Sequence, residues 1–144
     1  MFCPVKTLAT MAAITVFSTS AFAAGDAPKE RQEIMRNVGA ATKVTAGMAR
    51  GQVPFDAVAA QMALKTMHSA ALGFGYMFPE GSESGSNTEA SSKIWSDRAG
   101  FDKMVNKFVA DTSAKVTDLE SLRQAFGGIA ANCSACHKVY REKK

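Results

Sequence analysis

The sequence predicts an all-α protein, an antiparallel four-helix bundle, and three observations predict it. Apolar residues recur at three- and four-residue steps in four separate segments, the period of an amphipathic helix. No alternating apolar–polar run is long enough to form a strand. The chain has 144 residues, 47% hydrophobic and 21% charged, which suits a single domain with one packed core. Helices of roughly 20–25 residues with short connections favour antiparallel neighbours.

The N-terminal segment stands apart from this pattern. Residues 1–23 carry one basic residue, Lys6, then an apolar, small-residue stretch from Thr7 to Phe17, then Ala21-Phe22-Ala23. That is the layout of a secretory signal peptide ending in an A-x-A cleavage site. The expected organisation is a signal peptide at 1–23 and one bundle domain at 24–144. Cys3 leaves with the signal, so Cys133 and Cys136 are the cysteines of the expected mature chain.

The first helix is expected from about Pro28 to Arg50, with Ile34, Met35, Val38, Ala41, Val44, Thr45 and Met48 on its apolar face and Gly51 as its stop. The second is expected from Pro54, a good first-turn residue, to about Leu72, ahead of Gly73, Gly75 and Pro79. Residues 80–88 hold no apolar side chain and read as a loop. The third helix is expected from about Ala90 to Lys115, with Ile94, Trp95, Phe101, Met104, Val105, Phe108 and Val109 buried and Gly100 as a weak point. The fourth is expected to start near Thr117 or Asp118, a capping-type residue. Leu119, Leu122, Phe126, Ile129, Cys133, Cys136, His137 and Tyr140 share one of its faces, across an interruption at Gly127-Gly128.

Composition narrows the function. The net charge of +4 is mild and dispersed, and no Arg-rich stretch is interleaved with aromatics, so nucleic acid is not an expected partner. No apolar run reaches the ~18 residues of a membrane span.

The chemistry lies in Cys133-Ser134-Ala135-Cys136-His137, the c-type haem attachment pattern. On a helix, residues three and four apart share a side. Both thiols can therefore reach the vinyl groups of one porphyrin edge, and His137 can ligate the iron. A chance C-x-x-C-H arises in roughly one chain of this composition in a thousand. A zinc site would want four ligands, and His68 is the one soft donor left outside the motif and the methionines. A redox dithiol would want a βαβ setting. A disulfide across two residues of a helix would have poor geometry. The expected cofactor is one haem c, with its iron, and an exported chain of this kind is expected in the periplasm.

A second axial ligand would close the iron; an open position would suit small gases. If helix 4 ends beside the start of helix 1, His137 lies ~8–10 Å from that end and Met35 at nearly the same height. Met48 falls at the far end, and Met62 and Met104 at roughly 20 Å from the haem end. Met35, Met67, Met77 and His68 stay open on these grounds. Trp95 and Phe101 read as core, and the crowd of Lys138, Arg141, Lys143 and Lys144 as ordinary C-terminal cations of a helix.

The sequence resembles the class II cytochromes c, the cytochrome c prime family, along the whole expected mature chain. The likeness rests on Cys133 to Arg141, Gly51-Gln-Val-Pro54-Phe55-Asp56-Ala57, Lys93-Ile94-Trp95-Ser96-Asp97 and the run from Leu122 to Gly127. It implies a monohaem electron carrier that performs no reaction on a bound substrate. The family divides by the residue that helix 1 turns to the distal side of the haem. In the high-spin branch it is apolar, the iron is five-coordinate and small gases bind; in the low-spin branch it is Met. Glu33-Ile34-Met35-Arg36 is similar to the low-spin pattern, which implies His137 as proximal and Met35 as distal ligand. The resemblance also implies Arg31 at a haem propionate, with Gln32, Glu89 and Arg141 around the pocket. Redox proteins are the implied partners, and both monomers and homodimers occur in the family.

Overall fold

The computed structural model describes residues 26–143. The expected signal peptide at 1–23 lies outside the described residues, as does Lys144. Helix α1 spans Ala27–Ala49, with Pro28 in its first turn. The Asp26 carboxylate caps it by accepting from the Lys29 amide at 3.2 Å. Gly51, at φ +70°, supplies the left-handed turn that ends it, and its amide returns to the Met48 carbonyl.

Helix α2 spans Ala57–Phe74, three residues later than Pro54 suggests. Asp56 is extended and its side chain accepts from the Ala59 amide at 2.9 Å, so the cap sets the start and Pro54 stays in the connector. The helix continues through Gly73 and ends in a 3₁₀ turn, Gly75–Met77.

The single third helix expected over 90–115 is two helices, α3 at Lys93–Ser96 and α4 at Arg98–Thr112. Asp97 breaks them. Its backbone leaves helical geometry, and its carboxylate accepts from the Gly100 amide at 3.2 Å and the Tyr140 hydroxyl at 2.9 Å. A short acidic side chain with a fixed tertiary donor outcompetes helix continuation there. Gly100 is then a requirement. A Cβ at that position would stand 2.5 Å from both Asp97 Oδ2 and Tyr140 Oη. Gly100→Ala is expected to destabilise the fold by about 1–3 kcal/mol in chemical denaturation, although Ala is the better helix former by about 1 kcal/mol. A neutral or stabilised variant would show that the Asp97–Tyr140 contact yields freely.

Helix α5 spans Leu119–Tyr140. Asp118 and Ser121 form a reciprocal capping box, the Ser121 amide donating to Asp118 at 2.7 Å and the Asp118 amide to Ser121 Oγ at 3.2 Å. These bonds hold the Asp118 carboxyl below its ordinary pKa. Gly127-Gly128 does not interrupt the helix.

The four long helices close into the bundle: α1 packs on α2, α2 on α4, α4 on α5 and α5 on α1. Leu64, Met67, Leu122 and Ile129 are fully buried at its centre, with Val38 and Met48. A second cluster joins Phe78, Ile94, Phe101 and Tyr140 where α3 meets α4 and α5. Phe101 is buried and Trp95 half-buried, its indole N–H donating to the Pro79 carbonyl at 3.1 Å, in keeping with core roles. Among the described residues no helix is long and apolar enough to cross a membrane.

Candidate functional site

The last two turns of α5 carry Cys133, Cys136 and His137. Both cysteines are free and half-buried, and burial pushes both thiols up in pKa. In the haem-free chain this favours the protonated thiols. His137 is lowered in pKa, first by burial and then by the neighbouring Arg141 guanidinium, with Glu89 opposing. The neutral imidazole, the form that can ligate a metal, is favoured.

These three side chains border a cavity of about 680 Å³, within the range of about 300–1,000 Å³ usual for small-molecule and cofactor sites. Phe74, Phe78, Phe101, Val105 and Phe108 supply much of its apolar wall. Helix α1 faces it with Arg31, Gln32 and Met35, and Glu89 and Arg141 close one side. All eight residues singled out from the sequence therefore border one space.

Arg31, expected at a haem propionate, is held largely by acceptors of the chain itself. It is only 4% exposed. Its Nη1 donates to the Met77 carbonyl at 3.1 Å and Ser82 Oγ at 3.0 Å, and its Nη2 to the Ser82 carbonyl at 2.8 Å and Thr88 Oγ1 at 3.4 Å. Its guanidinium carbon lies 4.7 Å from the centre of the Phe78 ring. Only Nε, buried and without a partner, remains for an anion in the cavity. Gln32 Nε2 donates to the Ser86 carbonyl at 2.7 Å, and Glu89 pairs with Arg141 at 2.5 Å. That pair neutralises one cation of the C-terminal crowd; Lys138 and Lys143 stay exposed.

Burial and the cavity lining separate the methionines. Met67 is fully buried in the core, and the amide of Asp56 approaches the Met48 sulfur at 3.3 Å. Met77 lies in the 3₁₀ turn, and His68 Nδ1 bonds the Val109 carbonyl at 3.1 Å; neither these two nor Met67 borders the cavity. Met104 corrects the sequence reading. Placed roughly 20 Å away by a helix starting at Ala90, it borders the cavity. The break at Asp97 starts α4 at Arg98, so Met104 lies only about 9 Å along its helix. Asn132 was missed altogether. It is buried against the cavity, and its amide reaches the Met104 carbonyl at 3.4 Å and Asp111 at 3.3 Å. Its place on α5 beside Cys133, three residues after the buried Ile129, was the signal available.

The donor set fits a haem. Two thiols and an imidazole share one wall, a thioether comes from a different helix, the lining is largely apolar, and a buried guanidinium N–H lacks an acceptor. Fold and site together define a haem-carrying four-helix bundle. Residues 26–141 match the family model described as Cytochrome C'. A cytochrome c' of Rhodopseudomonas palustris is 34% identical over 141 residues, covering 95% of this chain and 97% of the relative. A cytochrome c-556 of Agrobacterium fabrum is 34% identical over 127 residues, 85% of each chain. The solved structure of Rhodopseudomonas palustris cytochrome c' superposes with a TM-score of 0.79 at 34% identity, covering 83% of this chain and 98% of that one. The chain belongs to the cytochrome c' family, the class II cytochromes c, and its cofactor is covalently attached haem c with iron.

Proposed function

We propose that the protein is a single-electron carrier, with Cys133 and Cys136 anchoring the haem, His137 as proximal and Met35 as distal ligand. When bound, the haem supplies an iron that alternates between Fe(III) and Fe(II). The observation that carries the reading is that Met35 on α1 and His137 on α5 face one cavity from two different helices. The chain's own residues hold and shield. Phe74, Phe78 and Phe108 give the site apolar walls, and thioether ligation favours the reduced state. Arg31 offers its free Nε to an anionic haem edge, with Gln32, Glu89 and Arg141 at the cavity's border. No group in this reading acts on a bound substrate. Residues 1–23 direct the chain to the periplasm, where redox proteins, so far unidentified, exchange electrons with it.

A second reading has its own support. The relative named cytochrome c' is as similar as the one named c-556, at 34% identity each. In that reading Met35 does not close the iron, and the protein takes up nitric oxide or carbon monoxide. Absorption spectra of the holoprotein, oxidised and reduced, with and without carbon monoxide, separate the two. Low-spin bands, a Met-to-ferric charge-transfer band and indifference to carbon monoxide are the expected result. A high-spin spectrum with rapid carbon monoxide uptake would establish the second reading instead.

A further inference from the structure

Residues 78–91 leave the 3₁₀ turn and run along the cavity, which Thr88, Glu89 and Ala90 border, to α3. Residues 80–88 look like a polar loop in sequence, yet the segment is bonded to both helices that carry the proposed axial ligands. On the α1 side, Ser82 and Thr88 accept from Arg31, and Ser86 accepts from Gln32. The Ser86 hydroxyl also meets the Asp26 carboxylate. On the α5 side the chain pairs in extended form with the residues that follow the helix. The Ser91 amide donates to the Tyr140 carbonyl at 3.0 Å and the Glu142 amide to the Glu89 carbonyl at 2.8 Å. Ser91 Oγ donates to the Glu142 carboxylate at 2.6 Å, and the Glu89 carboxylate takes the Arg141 guanidinium at 2.5 Å.

The positions of the anchors matter. Arg31 precedes Met35 by four residues, one helical turn, and Arg141 follows His137 by four. Two adjacent residues, Thr88 and Glu89, bridge these anchors. The link therefore joins the two ligand-bearing helices beside the ligands themselves. The helix contacts elsewhere in the bundle fix α1 and α5 mainly through the core around Val38, Leu122 and Ile129.

We propose that Glu89 is a positioning residue: through Arg141 and Glu142 on one side, and its neighbour Thr88 on Arg31 on the other, it sets the spacing of α1 and α5 at Met35 and His137. It thereby controls how readily Met35 leaves the iron. This rests on Met35 being the distal ligand. The pair is partly screened, with side chains 33% exposed for Glu89 and 43% for Arg141. An ion pair of that kind changes an equilibrium by a factor of up to about five.

The test uses the holoprotein and its Glu89→Gln, Thr88→Val, Met35→Leu and Glu89→Gln/Met35→Leu variants, with the reciprocal swap Glu89→Arg/Arg141→Glu. Three readouts are taken: the Met-to-ferric charge-transfer band, the carbon monoxide association rate, and amide exchange at Ser91 and Glu142. Glu89→Gln and Thr88→Val should each weaken the band and speed carbon monoxide binding about threefold to fivefold. Glu89→Gln should also speed exchange at the two amides. The swap should restore the slow rate, and Glu89→Gln should have no effect on the rate once Met35 is Leu. Faster binding in the Met35→Leu background would mean that Glu89 controls access to the cavity, and the proposal would fall. It would fall equally if neither Glu89→Gln nor Thr88→Val moved the rate. If Met35→Leu alone leaves band and rate unchanged, the distal-ligand reading has failed and takes the proposal with it, a failure visible without any Glu89 variant.

Discussion

Met35→Leu is expected to turn the holoprotein from low-spin and indifferent to carbon monoxide into high-spin and reactive with it. Leu has nearly the volume of Met, so the α1 face that borders the cavity keeps its packing, at a cost below about 1.5 kcal/mol. What is lost is the thioether, and with it the sixth bond that the proposed function assigns to Met35. The reduction potential should fall, because Met ligation favours Fe(II). Met104 supplies the control, since it also borders the cavity. It packs against the cluster of Phe78, Ile94, Phe101 and Tyr140, as Cys136 does. Met104→Leu should therefore leave the spectrum low-spin. If Met104→Leu produced the high-spin protein and Met35→Leu did not, the distal ligand would come from α4.

Arg31→Ala should produce the largest loss of stability, about 3 kcal/mol, read as a fall in melting temperature of roughly 10 °C. Four hydrogen bonds leave this one guanidinium, and three of their acceptors lie on the polar stretch from Ser82 to Thr88. Burial lowers the Arg31 pKa, opposed by the carboxylates of Asp26 and Glu83. The group therefore depends on that fork of acceptors and on the Phe78 face beneath it. Arg31→Lys should recover little, because an ammonium cannot reproduce a planar fork. A variant within about 0.5 kcal/mol of the parent would mean that the Ser82–Thr88 segment is held by other contacts.

The parts of this protein that were legible in its sequence are those written locally. The haem motif sits within five consecutive residues, and helical spacing alone puts its donors on one side. Pro28 and the capping-type Asp118 stand at the start of the apolar rhythms of α1 and α5, so both helices begin within a residue or two of where the sequence suggests. The split between α3 and α4 was hidden because the partner that fixes Asp97 is Tyr140, 43 residues away. The error then propagated: a helix drawn from Ala90 displaced Met104 by about two turns and removed it from the site. The segment around Ser82 and Thr88 was equally opaque. Small polar residues in a row say only that the chain turns, and which distant arginine they receive is decided by the packing of α1 against them.

Both attachment cysteines lie three residues apart on one helix. A cofactor tethered there has no free concentration of its own, so mass action does not govern its retention. Dilution, competing porphyrin binders and dialysis leave occupancy unchanged. The folded state gains whatever the bound group contributes at every protein concentration, and a carrier built this way stays loaded however thinly it is spread.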